Sequence, residues 1–193
     1  GGYVTANVIY EDAVPDELWH IKETAKMAAE FGAKHIVLGG GAVRFNGIQN
    51  KDFTILAKNL DRAREEIETY GLTASFHPHL GCMIENPEQI DKLFDLTDIN
   101  FCPDIAHLAA GGSNPMDLVK KYVNRIKYVH LKDYKNGEFV PLGKGEQPLV
   151  GIIKFLKDND FSGDWLVEID GYSGDPLEAC ETSYNFIEKH IKE

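Results

Sequence analysis

Ala74-Ser75-Phe76-His77-Pro78-His79 reads as a short strand ending in side chains that can bind a metal, and the chain repeats that build three more times. Ile99-Asn100-Phe101-Cys102-Pro103-Asp104, Ile126-Lys127-Tyr128-Val129-His130 and Trp165-Leu166-Val167-Glu168 follow, with an amphipathic helical stretch between each and the next. Strands alternating with helices are the pattern of βα units in a parallel sheet. All strands of such a sheet end at one carboxyl edge, where α/β proteins build their sites. His, Asp, His and Glu, scattered in sequence, would there meet as one nitrogen- and oxygen-rich cage.

Outward from these runs, the same alternation extends over the whole chain. Residues 3–10 and 35–38 read as strands, the second running into Gly39-Gly40-Gly41. Leu18, Ile21, Ala25 and Ala28 mark a helix over 16–31, stopped by Gly32. Phe53, Leu56, Leu60, Ala63, Ile67 and Tyr70 form the clearest apolar stripe. Helices are also predicted over 87–96 after Asn86 and over 115–123 after Asn114, each with proline at its first position. Leu149, Ile152, Ile153 and Leu156 define another, and Leu177, Cys180, Tyr184, Ile187 and Ile191 stripe the last. Trp19 and the aromatic residues on these stripes read as core.

Six βα units result, within a single domain over 1–193. A closed (β/α)₈ barrel needs eight units and about 250 residues. The expectation is therefore a TIM barrel represented by its strands three to eight. Its first two βα units, about 60–80 residues, would precede Gly1, or a second copy would cover the open edges.

Composition narrows the function classes. The formal charge is −11 with no run of Lys or Arg, which argues against a nucleic-acid binder. Cys82, Cys102 and Cys180 form no CxxC pair and fit a reducing, cytoplasmic setting. No apolar run has the length of a membrane span, and no signal peptide is visible. Gly39-Gly40-Gly41 lacks the GxGxxG spacing of a dinucleotide site and reads as a tight βα turn.

Phe-His-Pro-His-Leu-Gly (76–81), Asp-Ile-Ala-His-Leu (104–108), Val-His-Leu-Lys-Asp (129–133), Phe-Val-Pro-Leu-Gly-Lys-Gly (139–145) and Val-Glu-Ile-Asp (167–170) together resemble the xylose isomerase-like TIM-barrel superfamily. The similarity is greatest to its inosose dehydratase-like sugar phosphate isomerase/epimerase branch, and it runs from about Tyr3 to the end. The resemblance implies one divalent metal held by a residue from each of the fifth to eighth strands, usually Glu, Asp, His and Glu. The last three fall on Asp104, His130 and Glu168. The first departs, because His77 stands where Glu is usual. His77 and His79 share a strand face, so either serves; alignment favours His77 and leaves His79 facing substrate. Two carboxylates and two imidazoles suit Mn, Co, Fe or Zn better than Ca, and the loss of one carboxylate disfavours Mg relative to members with Glu at the first position.

The resemblance further implies substrate contacts from His79, His107 and Lys132, and a catalytic set of Glu168 as base, His79 as proton carrier and Lys132 offsetting developing negative charge. Lys132 has a second reading as an interior salt bridge to Glu168 or Asp170, and His107 as a surface-loop residue. The implied substrate is a small polyhydroxylated carbonyl compound; no membrane or nucleic-acid partner is expected, and a homo-oligomer stays open. The first expectation is a metal-dependent isomerase or epimerase working by proton abstraction beside a chelated carbonyl. A dehydratase of inosose or a related keto-polyol is the alternative. A non-catalytic sugar-binding protein is a third reading.

Overall fold

The computed structural model describes residues 1–192, which form two compact units divided after Cys102. In the first, β1 (Gly2–Thr5), α1 (Val14–Glu30), β2 (His35–Gly39), α2 (Asn50–Glu68), β3 (Thr73–His77), α3 (Pro87–Phe94) and β4 (Asn100–Phe101) alternate along the chain. The four strands make one parallel sheet in the order β1-β2-β3-β4. β2 is buried along its whole length, as a parallel strand covered on both faces should be. Ile36, Leu38 and Phe76 from the sheet and Ile21, Leu56, Leu60 and Ile67 from the helices are fully buried. Each such side chain contributes about 1.5–3 kcal/mol on leaving water.

Local sequence sets the helix starts. Asn86 accepts from the Gln89 amide at 3.0 Å and Gln89 returns the bond to the Asn86 amide at 3.0 Å, a reciprocal cap with Pro87 at the first turn. At the start of α2, buried Asp52 accepts from the Gln49 amide at 2.9 Å and from Arg44 Nε at 2.7 Å. The strand expected over 3–10 stops at Thr5, because beyond it the backbone pairs with side chains: Asn59 donates to the Val8 carbonyl at 2.9 Å and Arg44 to that of Ile9 at 2.6 Å.

The second unit begins with α4 (Ile105–Ala110), α5 (Pro115–Lys121) and a 3-10 turn (Val123–Arg125). β5 (Tyr128–Leu131), the hairpin β6 (Asp133–Lys135) and β7 (Glu138–Val140), α6 (Leu149–Asp158), β8 (Asp164–Val167) and α7 (Pro176–Ile187) follow, and a π turn (Glu188–Lys192) closes it. β5 and β8 pair in parallel, with His130 opposite Leu166 and Leu131 opposite Val167. β6 and β7 pair antiparallel. Sequence reading missed the hairpin and α4, both too short to develop a periodic signal.

Two expectations about the core are corrected. Trp19 is 63% exposed, since α1 turns Val14, Ile21 and Ala25 inward instead. On α7 the inward pair is Ala179 and Ser183, four residues apart, so Leu177 (67%) and Tyr184 (58%) face outward. β8 is likewise half open, with Leu166 and Val167 exposed. No helix among the described residues is long and apolar enough to cross a membrane.

Candidate metal centre and active site

The second unit gathers its ionisable residues at the carboxyl ends of β5 and β8. Just before α4, the Pro103 carbonyl accepts from the His130 amide at 3.0 Å, and a parallel bridge lays Asp104 beside His130. Asp104 caps α4: one carboxylate oxygen, Oδ1, accepts from the His107 amide at 2.9 Å. That bond turns Oδ2 of this fully buried residue toward β5. Beyond β8, the Glu168 amide donates to the Leu131 carbonyl at 3.1 Å, which continues the ladder by one residue and sets Glu168 at the end of β5.

His130 Nδ1 lies 3.0 Å from Glu168 Oε2 and 3.9 Å from Asp104 Oδ2. Lys132, two residues on and therefore on the same strand face, reaches Asp170 Oδ2 at 2.8 Å, Asp104 Oδ2 at 3.0 Å and Glu168 Oε2 at 3.3 Å. The salt-bridge reading of Lys132 is thus the observed arrangement. His107, expected as a substrate contact with a surface-loop residue as the alternative, is buried on α4 with Nε2 3.1 Å from Asp170 Oδ2. The ring of Phe139 on β7 stands 5.3 Å from that of His107, and the Lys132 ammonium 5.4 Å from the Phe139 centroid.

Charge explains the protonation states. Contact with His130 and, against partial burial, the Lys132 ammonium pull the Glu168 carboxyl down to about 2. Burial works against the charge on Lys132, but Asp104, Asp170 and Glu168 outweigh it and hold its pKa above that of an ordinary lysine. Asp170 is lowered for the converse reason: the Lys132 hydrogen bond and charge overcome its own partial burial.

His77 and His79 belong to the first unit. His77 is the last residue of β3, buried and paired in register with Gly39. Its ring meets that of His79 edge to face at 5.5 Å, as residues two apart on one strand face would. His79 is half-buried, with Nδ1 2.9 Å from the Leu80 carbonyl oxygen.

The second unit therefore joins Asp104, His130, Lys132 and Glu168 directly and His107 through Asp170. Asp170 was named in the sequence only as a salt-bridge partner; its position two after Glu168 was the signal for more. Phe139 gave none, since hairpins this short are not marked by periodicity.

The donor set fits a divalent cation. Ligand atoms about 2.0–2.3 Å from one ion stand roughly 3–4 Å apart, the spacing of Asp104 Oδ2 from His130 Nδ1 at 3.9 Å, while Glu168 Oε2 is held to His130 Nδ1 at 3.0 Å by a hydrogen bond. Asp104, Glu168 and Asp170 also carry three negative charges against the one ammonium of Lys132, so a dication balances what the lysine leaves over.

The family model described as xylose isomerase-like TIM barrel matches residues 10–190. An inosose dehydratase of Clostridium perfringens is 32% identical over 169 residues, covering 76% of this chain and 56% of that protein. The chain thus spans little more than half the length of this relative. Among solved structures, a sugar phosphate isomerase/epimerase from Parabacteroides distasonis superposes with a TM-score of 0.79 at 18% identity, over 96% of this chain and 69% of that one. The IOLI protein with a binding zinc atom superposes at 0.80 with 20% identity, over 100% of this chain and 78% of that one. These likenesses establish the fold, and the chain belongs to the xylose isomerase-like TIM barrel family.

Proposed function

We propose that the chain carries the metal-dependent centre of a dehydratase acting on inosose or a related keto-polyol. The observation that carries the reading is the gathering of Asp104 Oδ2 and Glu168 Oε2 about His130 Nδ1 and the Lys132 ammonium in the second unit. The name of the Clostridium perfringens relative favours the dehydratase over the isomerase or epimerase put first from sequence. Asp104, His130 and Glu168 are the proposed ligands, with His77 as the fourth on the family's pattern of one ligand per strand. The ion, when bound, would supply Lewis-acid polarisation of the substrate carbonyl.

The chain's own residues handle charge and protons. A base removes the proton next to the carbonyl, the freed electron pair forms a C=C bond, and the β-hydroxyl leaves as water after taking a proton. Glu168 is the proposed base; the contacts with His130 and Lys132 that hold its carboxyl low make it a weak base, and its basicity rises as they loosen. Lys132, buried and permanently charged, offsets negative charge on the substrate oxygen. His79 and His107 are the proposed substrate contacts, His79 also the proton carrier. The whole is proposed as strands three to eight of the barrel, corresponding to the six parallel strands β1, β2, β3, β4, β5 and β8.

Elemental analysis of purified protein, then incubation with inosose and ketoses in D₂O with Mn, Co, Fe, Zn or Mg, tests the reading. A dehydratase gives an enone or enediol absorbance together with deuterium exchange. Exchange without water loss returns the function to an isomerase or epimerase. Absence of any bound or activating metal would leave the sugar-binding reading standing.

A further inference from the structure

One buried carboxylate near this site is used by none of the chemistry above. Asp133, directly after Lys132, is 1% exposed, and both of its oxygens are filled by backbone. Oδ1 accepts from the amides of Tyr134 at 2.9 Å and Gln147 at 3.2 Å. Oδ2 accepts from those of Gly143 at 2.9 Å and Gly145 at 3.0 Å. Four N–H groups drawn from residues 134–147 of hairpin and loop onto one carboxylate make an anion nest of the kind that elsewhere cradles phosphate. Here the anion is supplied by the chain itself.

The glycines fit that geometry. Gly143 has φ +79°, a left-handed conformation that turns its N–H inward and that a side chain resists. A Cβ on Gly145 would collide with the Asp133 carboxylate. The Glu146 amide and the Gln147 side-chain amide both donate to the Tyr134 carbonyl at 3.1 Å, fastening the loop to β6 a second time. β6 pairs with β7, which carries Phe139 against His107 and Lys132.

We infer that Asp133 is a positioning residue: its carboxylate fills the backbone anion nest of the loop 141–147 and so presets the β6–β7 hairpin that holds Phe139 against His107 and Lys132. Its importance for catalysis rests on the reading of that site given above. The loop's converging N–H donors are already engaged by Asp133, so a phosphate group finds no cradle in this loop.

The test needs no turnover, so it stands apart from the dehydratase reading. In the wild-type protein the amides of Tyr134, Gly143, Gly145 and Gln147 should exchange with D₂O at least about a hundredfold more slowly than exposed loop amides. Exchange at the exposed rate overturns the inference. Asp133→Ala empties a space the size of formate. Formate, against chloride at equal ionic strength, should raise the Tm of this variant and leave that of wild type unchanged, and inorganic phosphate should leave wild type unchanged. The His107 ring resonances, shifted by the Phe139 ring, should move in Asp133→Ala and return with formate. A folded variant whose His107 signals never move, or that ignores formate, refutes the positioning role. Should Asp133→Ala fail to fold even with formate, the wild-type amide exchange decides alone.

Discussion

Replacing Lys132 with Met removes one ammonium from among three carboxylates. Both Lys132 (1% exposed) and Asp104 (0%) are buried, and they meet at 3.0 Å. Breaking such a pair from one side leaves an uncompensated buried charge and costs about 3–5 kcal/mol. Glu168 and Asp170 are 37% and 41% exposed, so water screens most of their loss and they add little. For a chain of this size that cost lowers Tm by roughly 6–20 °C. Unfolding in the presence of a chelator measures it. Two further arms separate charge from packing. Asp104→Asn combined with Lys132→Met should recover a large part of the loss, because the pair is then removed from both sides. Added Zn or Mn should stabilise Lys132→Met more than wild type, since the ion restores the positive charge that the lysine supplied. If Lys132→Met unfolds within about 1 kcal/mol of wild type under chelation, the ammonium does not hold these carboxylates together and the electrostatic account of the site fails.

Glu168→Gln keeps shape and removes charge and basicity; it should abolish deuterium exchange into substrate while circular dichroism stays that of wild type, and full activity would take Glu168 out of catalysis. Asp52→Ala should cost about 2–4 kcal/mol by urea unfolding, since it removes a helix cap and a buried partner of Arg44 together. Although burial raises it, the Arg44 and Gln49 bonds hold the Asp52 carboxyl below its ordinary value of 3.8. Its contribution is therefore complete above that value and lost as pH falls through the lower folded one, so stability should drop less steeply below about pH 4 in Asp52→Asn than in wild type. Leu177→Ser, at a position 67% exposed, should change stability by no more than about 0.5 kcal/mol; a loss of 2 kcal/mol or more would mean that this face is covered in solution.

The strands and long helices were legible because burial repeats at their own periods. The stripe of Phe53, Leu56, Leu60, Ala63 and Ile67 in α2 and the unbroken apolar run of β2 both appear as read. Legibility ended where burial is decided by what lies across from a residue. The stripe of Leu177 and Tyr184 is as periodic as that of α2, yet α7 turns Ala179 and Ser183 inward. A pattern of apolar residues says that a helix can bury a face, and the neighbouring elements choose which. Trp19 failed for the same reason. The hairpin β6–β7 failed for another: three-residue strands are too short for any period to register, and the bonds that hold its loop run to one carboxylate.

For the site, a carboxylate at a strand end looks the same in sequence whether it awaits a metal or an ammonium. Asp104 and Glu168 emerge beside His130 as the spacing suggested, and Lys132 reaches into the same oxygens. Under the proposed function, the two readings of Lys132, salt bridge and substrate group, would describe one arrangement at different stages. An ammonium that holds Asp104 and Glu168 keeps three buried or half-buried carboxylates from repelling one another. With a divalent ion held by those oxygens, Lys132 would have a weaker claim on them and its charge would be available to a substrate oxygen. Asp170, bonded to Lys132 at 2.8 Å, would then keep the ammonium in place. Asp170→Asn should therefore leave the donors Asp104, His130 and Glu168 intact but loosen Lys132, weakening substrate binding more than metal binding. A variant that loses the metal first would show that Asp170 serves the donor set and not the lysine.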